Sequence, residues 1–326
     1  MKQGSRNTLL VLVAALPALV ATSCNVNRTQ GVQPIDFGEG MAFATPEDAG
    51  SALVSALRDN DIPRVETVLG PGSGILLSSG DPVEDRWQVD TFLVAYEAAH
   101  NWNTWNVGVS ILEVGTRDWP FPIPLVHGKA GWRFDSNEGA EEILNRRIGR
   151  NELDAIQSCL AFVDAERDYY RRNPRNQSRP EYARFLVSSK GQRDGLYWPT
   201  TSSEPSSPLG ALFARAESEG YSPEQGVARP YHGYLYRILH GQGPDAPGGA
   251  RDYVEAGAMT GGFALIATPA AYRSSGVMTF VVNQTGLVYQ KDLGPNTRRL
   301  ADDIQTFNPD DSWSLVSDDD LRLQQR

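Results

Sequence analysis

The sequence is poor in the residues that build metal and redox sites. Its 326 residues include two cysteines, Cys24 and Cys159, and four histidines. Two cysteines cannot make a disulfide framework, and this supply of ligands is thin for a zinc site. The closest histidines, His232 and His240, would lie roughly 26 Å apart on one straight strand, too far to share a metal. The sequence therefore predicts no metal and no cofactor.

The motifs of several large enzyme classes are also missing. There is no G-x-S-x-G nucleophile elbow, no H-E-x-x-H zinc motif and no P-loop. The glycine-rich run Gly70–Gly74 lacks the spacing of a dinucleotide loop and indicates a turn. These absences remove the best-marked reactions but leave other catalysis open.

Basic residues are outnumbered throughout the chain. Its formal net charge is −10, from 30 basic and 40 acidic residues. Loss of a leader carrying Lys2 and Arg6 would leave 28 basic residues beside the same 40 acidic ones, a net charge of −12. Nucleic-acid binding needs a basic footprint, so it is excluded. Anionic lipid would repel such a chain, so charge alone would not hold it to a membrane.

The long apolar run at the start indicates export. Lys2 and Arg6 precede twelve apolar residues, Leu9–Val20, too few for the roughly 20 that span a bilayer. Ala21-Thr22-Ser23-Cys24 then resembles a lipobox, in which Cys24 receives lipid and becomes the new N-terminus. Asn25 does not match an inner-membrane retention signal, so we expect the periplasmic side of the outer membrane. Ordinary cleavage near Cys24, giving a soluble periplasmic or secreted protein, is the alternative.

The pattern beyond the leader predicts an α+β fold in four segments. Residues 1–24 are the signal peptide and residues 25–42 a flexible tether. Residues 43–190 form an N-terminal lobe of helices and a curved antiparallel sheet, ending in a long helical segment. Residues 191–326 form a lobe with an antiparallel β-meander and an acidic tail, which we read as solvated and not as a calcium loop.

Several elements can be placed individually. Thr45 and Pro46 predict a helix start, and Ile62–Leu69 a short second helix. A third helix is expected over about Glu84–Trp102. The helical pattern of residues 138–172 is predicted to break at Gly149 and restart at a capping box on Asn151. Cys159 lies at the edge of the apolar stripe that follows, which favours a buried, inert thiol over a reactive one.

Several sequence blocks together resemble a known family. They include RRIGRNEL, PYHGY, GGFALIATPAAY and SGVMTFVVNQTGLVYQKDLGP, and the resemblance runs from about Phe43 to Trp313. The family consists of exported bacterial proteins of unknown function. The resemblance implies a secreted or lipid-anchored protein of Gram-negative bacteria and assigns no catalytic residue. The last third is also similar to the sheet regions of pilin-type subunits, although their long apolar N-terminal helix is missing here.

Three arginines around the predicted helix break form the first candidate binding site. Arg146, Arg147 and Arg150 present guanidinium groups, which match the geometry of a carboxylate or phosphate. The same arginines can instead pair with nearby acids and lock the helix to the sheet. The sequence leaves both interpretations open.

A set of polar aromatic residues forms the second candidate site. Tyr197, Trp198, Tyr231 and Tyr234 can stack on a sugar or peptide, and His232 adds a group that titrates near neutral pH. The alternative is that these aromatic rings fill the space between a loop and the sheet.

We expect a non-catalytic binding or scaffolding protein that is held to the envelope by lipid on Cys24 and contacts an envelope protein or polymer. One alternative is a hydrolase acting on an envelope polymer, with His232 as the base and Asp252 orienting it. A pilin-like assembly component is a further alternative.

Overall fold

The computed structural model describes residues 36–221 and 229–317. The predicted signal segment, Cys24 and the tail acids Asp318–Asp320 lie outside these residues. Within them are six α-helices: α1 Pro46–Arg58, α2 Ile62–Leu69, α3 Pro82–Ala98, α4 Ser136–Arg172, α5 Gly210–Glu219 and α6 Thr297–Asp303. A short 3₁₀ helix covers Ser73–Leu77.

The strands fall into an N-terminal and a C-terminal group. The first group is β1 His100–Asn106, β2 Val109–Val114, β3 Trp119–Pro120, β4 Leu125–Gly128 and β5 Gly131–Phe134. The second group is β6 Phe185–Val187, β7 Gly195–Tyr197, β8 Tyr234–Leu239, β9 Gly241–Gln242, β10 Arg251–Asp252, β11 Val254–Glu255, β12 Ala258–Met259, β13 Ala264–Pro269, β14 Met278–Asn283, β15 Val288–Asp292 and β16 Ser314–Leu315. Helices first and antiparallel strands last confirm the predicted α+β class.

Each of the first three helices begins at a side-chain cap followed by a proline in the first turn. Thr45, Asp61 and Asp81 accept hydrogen bonds from the free amides of α1, α2 and α3. The predicted start of α1 and both bounds of α2 are confirmed.

The third helix ends earlier than the sequence predicts. The chain becomes extended at Ala99 and continues as β1, which pairs with β2 in the register His100↔Val114. Asn101 and Asn103 both donate to the carboxylate of Glu113 across this pair. The predicted extension of the helix to Trp102 is therefore wrong, because cross-strand pairing outweighs the apolar spacing.

The N-terminal sheet closes a first hydrophobic core. Its strands lie in the order β1-β2-β4-β5, with β3 paired to β2. The core combines its buried face with α1, α2 and α3. Residues 36–42, assigned from the sequence to the tether, join this core at Phe37, which is 1 % exposed.

The helix α4 is the longest element and runs without a break. The predicted interruption at Gly149 is wrong, since all 37 residues from Ser136 to Arg172 are helical. Asn151 does not cap a new helix but donates its side-chain amide to the carbonyl of Ser275. Gly149 faces open space, where a helical glycine costs about 1 kcal/mol and does not stop the helix.

The C-terminal sheet is an antiparallel meander and carries a second core. Its order is β16-β15-β14-β13-β8, and α4 packs across β13, β14 and β15. The predicted turn at Asn283–Gly286 joins β14 to β15, with Gly286 at a positive φ of 80°. Among the described residues, no helix has the length and apolarity needed to cross a membrane.

The two cores are distinct clusters that share α4. Ile143 of α4 packs against the first core, and the second core begins on the same helix at Ala155. The predicted lobe boundary at residue 190 stays a prediction.

Candidate functional site: an apolar cavity beside a buried histidine

A cavity of about 880 Å³ lies between the C-terminal sheet and the helices that cover its first strand. Most of its lining side chains are apolar, and they come from α3, α4, α5, β6, β8 and β13. The apolar lining residues are Pro82, Val83, Phe162, Phe185, Leu186, Val187, Leu209, Leu212, Phe213, Ala216, Pro230, Ile238 and Leu265. Ligand cavities typically measure about 300–1,000 Å³ and are lined mainly by such side chains.

The strand β8 forms the floor of the cavity. Tyr236 and Ile238 lie two residues apart on β8, and His240 follows the end of that strand. Leu265 lies opposite Ile238 in the β8–β13 register and extends the floor. The distance from Tyr236 to His240 along an extended chain is about 13 Å. These lining residues therefore follow the direction of β8.

The helices α4 and α5 and the strand β6 form the walls of the cavity. Phe162 of α4 lies on one wall, and Leu212, Phe213 and Ala216 of α5 lie on another. The α5 wall is supported from behind, because the ring of Phe213 stacks on that of Tyr197 at 4.2 Å.

Polar groups sit at intervals around this apolar lining. Asp81, Tyr221 and Tyr231 line the part near the start of α3. Tyr221 donates a 2.9 Å hydrogen bond to Asp81, and Asp81 also accepts from the amide of Gly233 at 3.0 Å. Burial is the main cause of the raised pKa values of both tyrosines, that of Tyr231 to about 12. Neither hydroxyl ionises at neutral pH.

Positive side chains also line the cavity. They are Arg184, Arg229 and Arg237, and the carboxylate among the lining residues is Asp81. Arg237 donates hydrogen bonds to the carbonyls of Ala301 and Ile304, so its guanidinium is engaged by the carboxyl end of α6.

Next to the Tyr221–Tyr231 part of the cavity lies a buried cluster of charged side chains around His232. The residue is 8 % exposed and has a φ of 48°, in the left-handed region that non-glycine residues rarely adopt. Its Nδ1 lies 3.4 Å from Oε2 of Glu84 and 3.9 Å from Oδ2 of Asp154. Its Nε2 lies 3.3 Å from Oε2 of Glu219, an ion-pair distance without hydrogen-bond alignment. One imidazole thus contacts carboxylates of α3, α4 and α5.

The electrostatics of the cluster favour a protonated imidazole. Burial alone would lower the pKa of His232, but the hydrogen bond to Glu84 and the charges of Asp154 and Glu219 together raise it. Burial opposes ionisation of Glu84 as well, yet its contacts with His232 and Arg150 leave its pKa below the usual value. Burial raises the pKa of Asp154. The contacts between Glu84 and His232 therefore favour the charged form of each.

The structure places the three predicted arginines in the packing of α4. Arg147 is 3 % exposed and donates to the carbonyls of Leu76 and Ser78. Arg146 pairs with Glu142 at 2.6 Å and lies over the ring of Trp119. Arg150 pairs with Glu84 at 2.8 Å, which joins it to the histidine cluster. A ligand role for these arginines stays a prediction.

The predicted aromatic residues are divided between the cavity and its supports. Tyr231 lines the cavity and contacts the ring of His232 at 4.2 Å. Tyr234 is buried and donates to the carbonyl of Met278. Tyr197 backs the α5 wall, and Trp198 packs on Tyr169.

The structure does not bring Asp252 to His232. Asp252 is exposed and accepts from the amide of Val254 at 2.9 Å. Among the described residues, the carboxylates within 4 Å of the His232 ring are Glu84, Asp154 and Glu219. Hydrolysis based on His232 stays a prediction, with these three carboxylates as its partners in place of Asp252.

The thiol of Cys159, the other nucleophile considered in the sequence, is not accessible to solvent. Cys159 is fully buried, and burial raises the pKa of its thiol to about 12. In the described part of the chain, no group of three or more His, Cys, Asp or Glu side chains is placed to hold a metal ion.

The sequence interpretation missed the apolar residues that enclose the cavity. Leu212, Phe213 and Ile238 follow the patterns of an ordinary amphipathic helix and strand. No local signal separates a side chain that fills a core from one that lines a hollow. The acids facing His232 were missed for a related reason, since Glu84, Asp154 and Glu219 are far apart in the sequence.

Comparison with known proteins identifies the family of this chain. The family model described as "Protein of unknown function (DUF2950)" matches residues 40–316, most of the sequence. The chain belongs to this family. Neither a curated protein nor a solved structure matches it significantly. The family description assigns the chain no activity.

Proposed function

We propose that this protein is a non-catalytic binding protein that holds a small amphiphile in the cavity beside β8. The observation that carries the proposal is the combination of volume and lining. A cavity of about 880 Å³ with mainly apolar walls is large enough for a drug-sized ligand. Burial of apolar surface would supply most of the binding free energy.

The row of lining residues along β8 favours a chain-like apolar body. Tyr236, Ile238 and His240 follow one another along its floor, and Leu212 and Phe213 face the same space from α5. An acyl or alkyl chain lying along β8 would contact both surfaces. A flat ring system would use less of this length.

The charge around the cavity favours an acidic head group. Arg184 and Arg229 line it in a chain whose overall net charge is −10. Local positive charge in an acidic protein attracts an anion and disfavours a cation. The ligand class we propose is therefore a single-chain amphiphile with a carboxylate or phosphate head.

The proposed place of action is the bacterial envelope. Lys2, Arg6, the apolar run Leu9–Val20 and Cys24 support export and lipid attachment. If lipid holds the protein, a Cys24→Ser variant moves from the membrane fraction to the soluble fraction. Equal fractionation of the variant and the wild type would contradict the anchor.

The binding proposal is tested with the uncharged fluorescent probe N-phenyl-1-naphthylamine. We expect saturable fluorescence enhancement with the wild type and a strong loss with Leu212→Trp, which fills the cavity from α5. Val94→Trp is the matched control, because Val94 is exposed on α3 away from the cavity lining. Equal binding by all three proteins would contradict the assignment to this cavity.

Competition then tests the head group. Laurate and dodecyltrimethylammonium carry chains of similar length and opposite charge. We expect laurate to displace the probe at the lower concentration. The reverse order would retain the cavity but contradict the acidic head group.

A further inference from the structure

The helix α5 is both a wall of the cavity and a partner of the buried histidine. Its residues Leu212, Phe213 and Ala216 line the cavity, and its last residue, Glu219, faces Nε2 of His232 at 3.3 Å. The opposite nitrogen, Nδ1, faces Glu84 of α3 and Asp154 of α4. The imidazole therefore bridges the carboxyl end of α5 to two longer helices.

The backbone around this bridge favours one ring position. The main-chain amide of His232 donates to the Tyr221 hydroxyl at 3.3 Å, and the amide of Gly233 donates to Asp81. A residue held at a positive φ by such contacts stores local strain, which is common at functional positions. Tyr221 itself links the chain just after α5 to the cap of α3.

Charged and titratable groups surround the ring from every element packed against it. The carboxylates are Asp81 at the cap of α3, Glu84 of α3, Asp154 of α4 and Glu219 of α5. The cations are Arg150 and Arg215, and the phenols are Tyr221 and Tyr231. Arg150 pairs with Glu84, and Arg215 pairs with Glu219. The histidine is the member of this set whose ordinary titration lies closest to neutral pH.

We infer that His232 is a pH-sensitive latch on the cavity, which as an imidazolium holds α5 against α3 and α4 and as a neutral ring releases it. The inference rests on the proposed function, since it concerns the regulation of the same cavity. Both ring nitrogens face carboxylates, so the imidazolium, with a proton on each, satisfies both sides. A neutral imidazole turns a lone pair toward one carboxylate and repels it.

The direction of the pH effect follows from the charged partners. They raise the pKa of His232 above its ordinary value, so the latch is closed below that pKa and opens as the pH rises through it. We expect the affinity for an apolar ligand to fall over the same interval. By linkage, a bound ligand raises the pKa of His232 further.

The test measures the affinity of N-phenyl-1-naphthylamine between about pH 6 and about pH 9, a range around the usual imidazole titration. This probe carries no charge there, so its own ionisation does not contribute. We expect the wild type to lose affinity by at least about fivefold with rising pH, the lower end of usual coupling between sites. Amide hydrogen exchange of residues 210–219, corrected for its intrinsic pH dependence, should accelerate over the same interval.

Two variants remove the latch from opposite sides. His232→Asn keeps a residue that tolerates a positive φ and removes the titrating ring. Glu219→Gln keeps the size of the α5 partner and removes its charge. Both should bind the probe with little pH dependence and show fast exchange in α5 throughout. His127→Asn is the control, because His127 is an exposed histidine of β4 outside the cavity lining, and it should retain the wild-type pH dependence.

The outcomes separate the latch from the cavity. Probe binding that does not change with pH overturns the latch and leaves the proposed function intact. A pH dependence that persists in His232→Asn and Glu219→Gln also overturns it. Absence of probe binding at every pH overturns the proposed function and the latch with it.

Discussion

The two cores of this domain differ in how their most conspicuous residues are used. In the N-terminal core, apolar side chains of three helices and a sheet pack together, and Arg147 donates to the backbone. In the C-terminal region, the sheet and α5 leave a cavity of about 880 Å³. The arginine motif that stands out in the sequence therefore belongs to packing, and mainly apolar side chains of ordinary pattern line the cavity.

This difference shows why charged motifs are weak guides to a site in this chain. A buried guanidinium needs several acceptors, and backbone carbonyls supply them as well as a ligand would. An apolar side chain has no hydrogen bonds to satisfy, so no polar residue in the sequence signals a wall that faces a hollow. Substitutions in the two regions test this contrast.

Replacing Arg147 with methionine should cause a large loss of stability. The buried guanidinium donates to the buried carbonyl of Leu76 and the part-buried carbonyl of Ser78, and its removal deprives both of these donors. Hydrogen bonds to a charged group contribute about 1.5–3 kcal/mol each, so we expect a loss of about 3 kcal/mol in the free energy of unfolding. Urea denaturation measures it.

Arg146→Met is the matched control on the same helix. Arg146 is a third exposed and pairs with the half-exposed Glu142. Such pairs contribute about 1 kcal/mol or less. A similar loss for both variants would show that burial does not distinguish the two arginines, and full stability of Arg147→Met would remove its structural role.

Truncating leucine should cost more in the packed core than at the cavity. Leu53 is 1 % exposed in the first core, where a Leu→Ala change typically costs about 2–5 kcal/mol. Leu212 already faces a hollow, so its truncation should cost about 1 kcal/mol, the usual size for a point mutation. Thermal and urea unfolding of Leu53→Ala and Leu212→Ala provide the comparison. A larger loss for Leu212→Ala would indicate that the cavity is filled by protein.

The smallest effect concerns the buried Glu166 on α4. Burial raises the pKa of its carboxyl well above the ordinary value, against a hydrogen bond from the Ala183 amide. Because the folded-state pKa is raised, the native state holds this proton after the unfolded chain has lost it. Wild-type stability from this group is therefore complete below the unfolded pKa and declines as the pH rises through the folded one.

Glu166→Gln should remove that decline. Stability curves of the wild type and the variant are expected to converge at acid pH and to separate as the pH rises, with the variant the more stable. Parallel curves at every pH would show that Glu166 is not protonated in the native state.

Local signals predicted those parts of the fold that depend on neighbouring residues. Thr45 with Pro46 indicated the start of α1, and Asn283–Gly286 indicated a hairpin turn. Where the role of a residue depends on a partner far away in the sequence, the local pattern gave a wrong prediction. Asn151 has the spacing of a helix cap, but the carbonyl of Ser275, 124 residues away, takes its amide.

The sequence pointed to His232 and a neighbouring aromatic residue, but not to the carboxylates or the cavity around them. His232 was recognised as a titratable group beside aromatic residues, and Tyr231 does contact it and line the cavity. Its carboxylate partners come from three different helices, which no spacing in the sequence brings together. The cavity itself is a property of how α5 sits above β8, and packing of that kind has no sequence motif.

Native mass spectrometry of the protein purified from its native host cells tests most directly whether the cavity holds a ligand. We predict a bound mass of one amphiphile per chain in the wild type, lost on extraction with organic solvent and absent from Leu212→Trp, while Val94→Trp retains it. A wild-type protein that carries no such mass, and that binds neither laurate nor N-phenyl-1-naphthylamine when they are supplied, would contradict a binding function for this cavity.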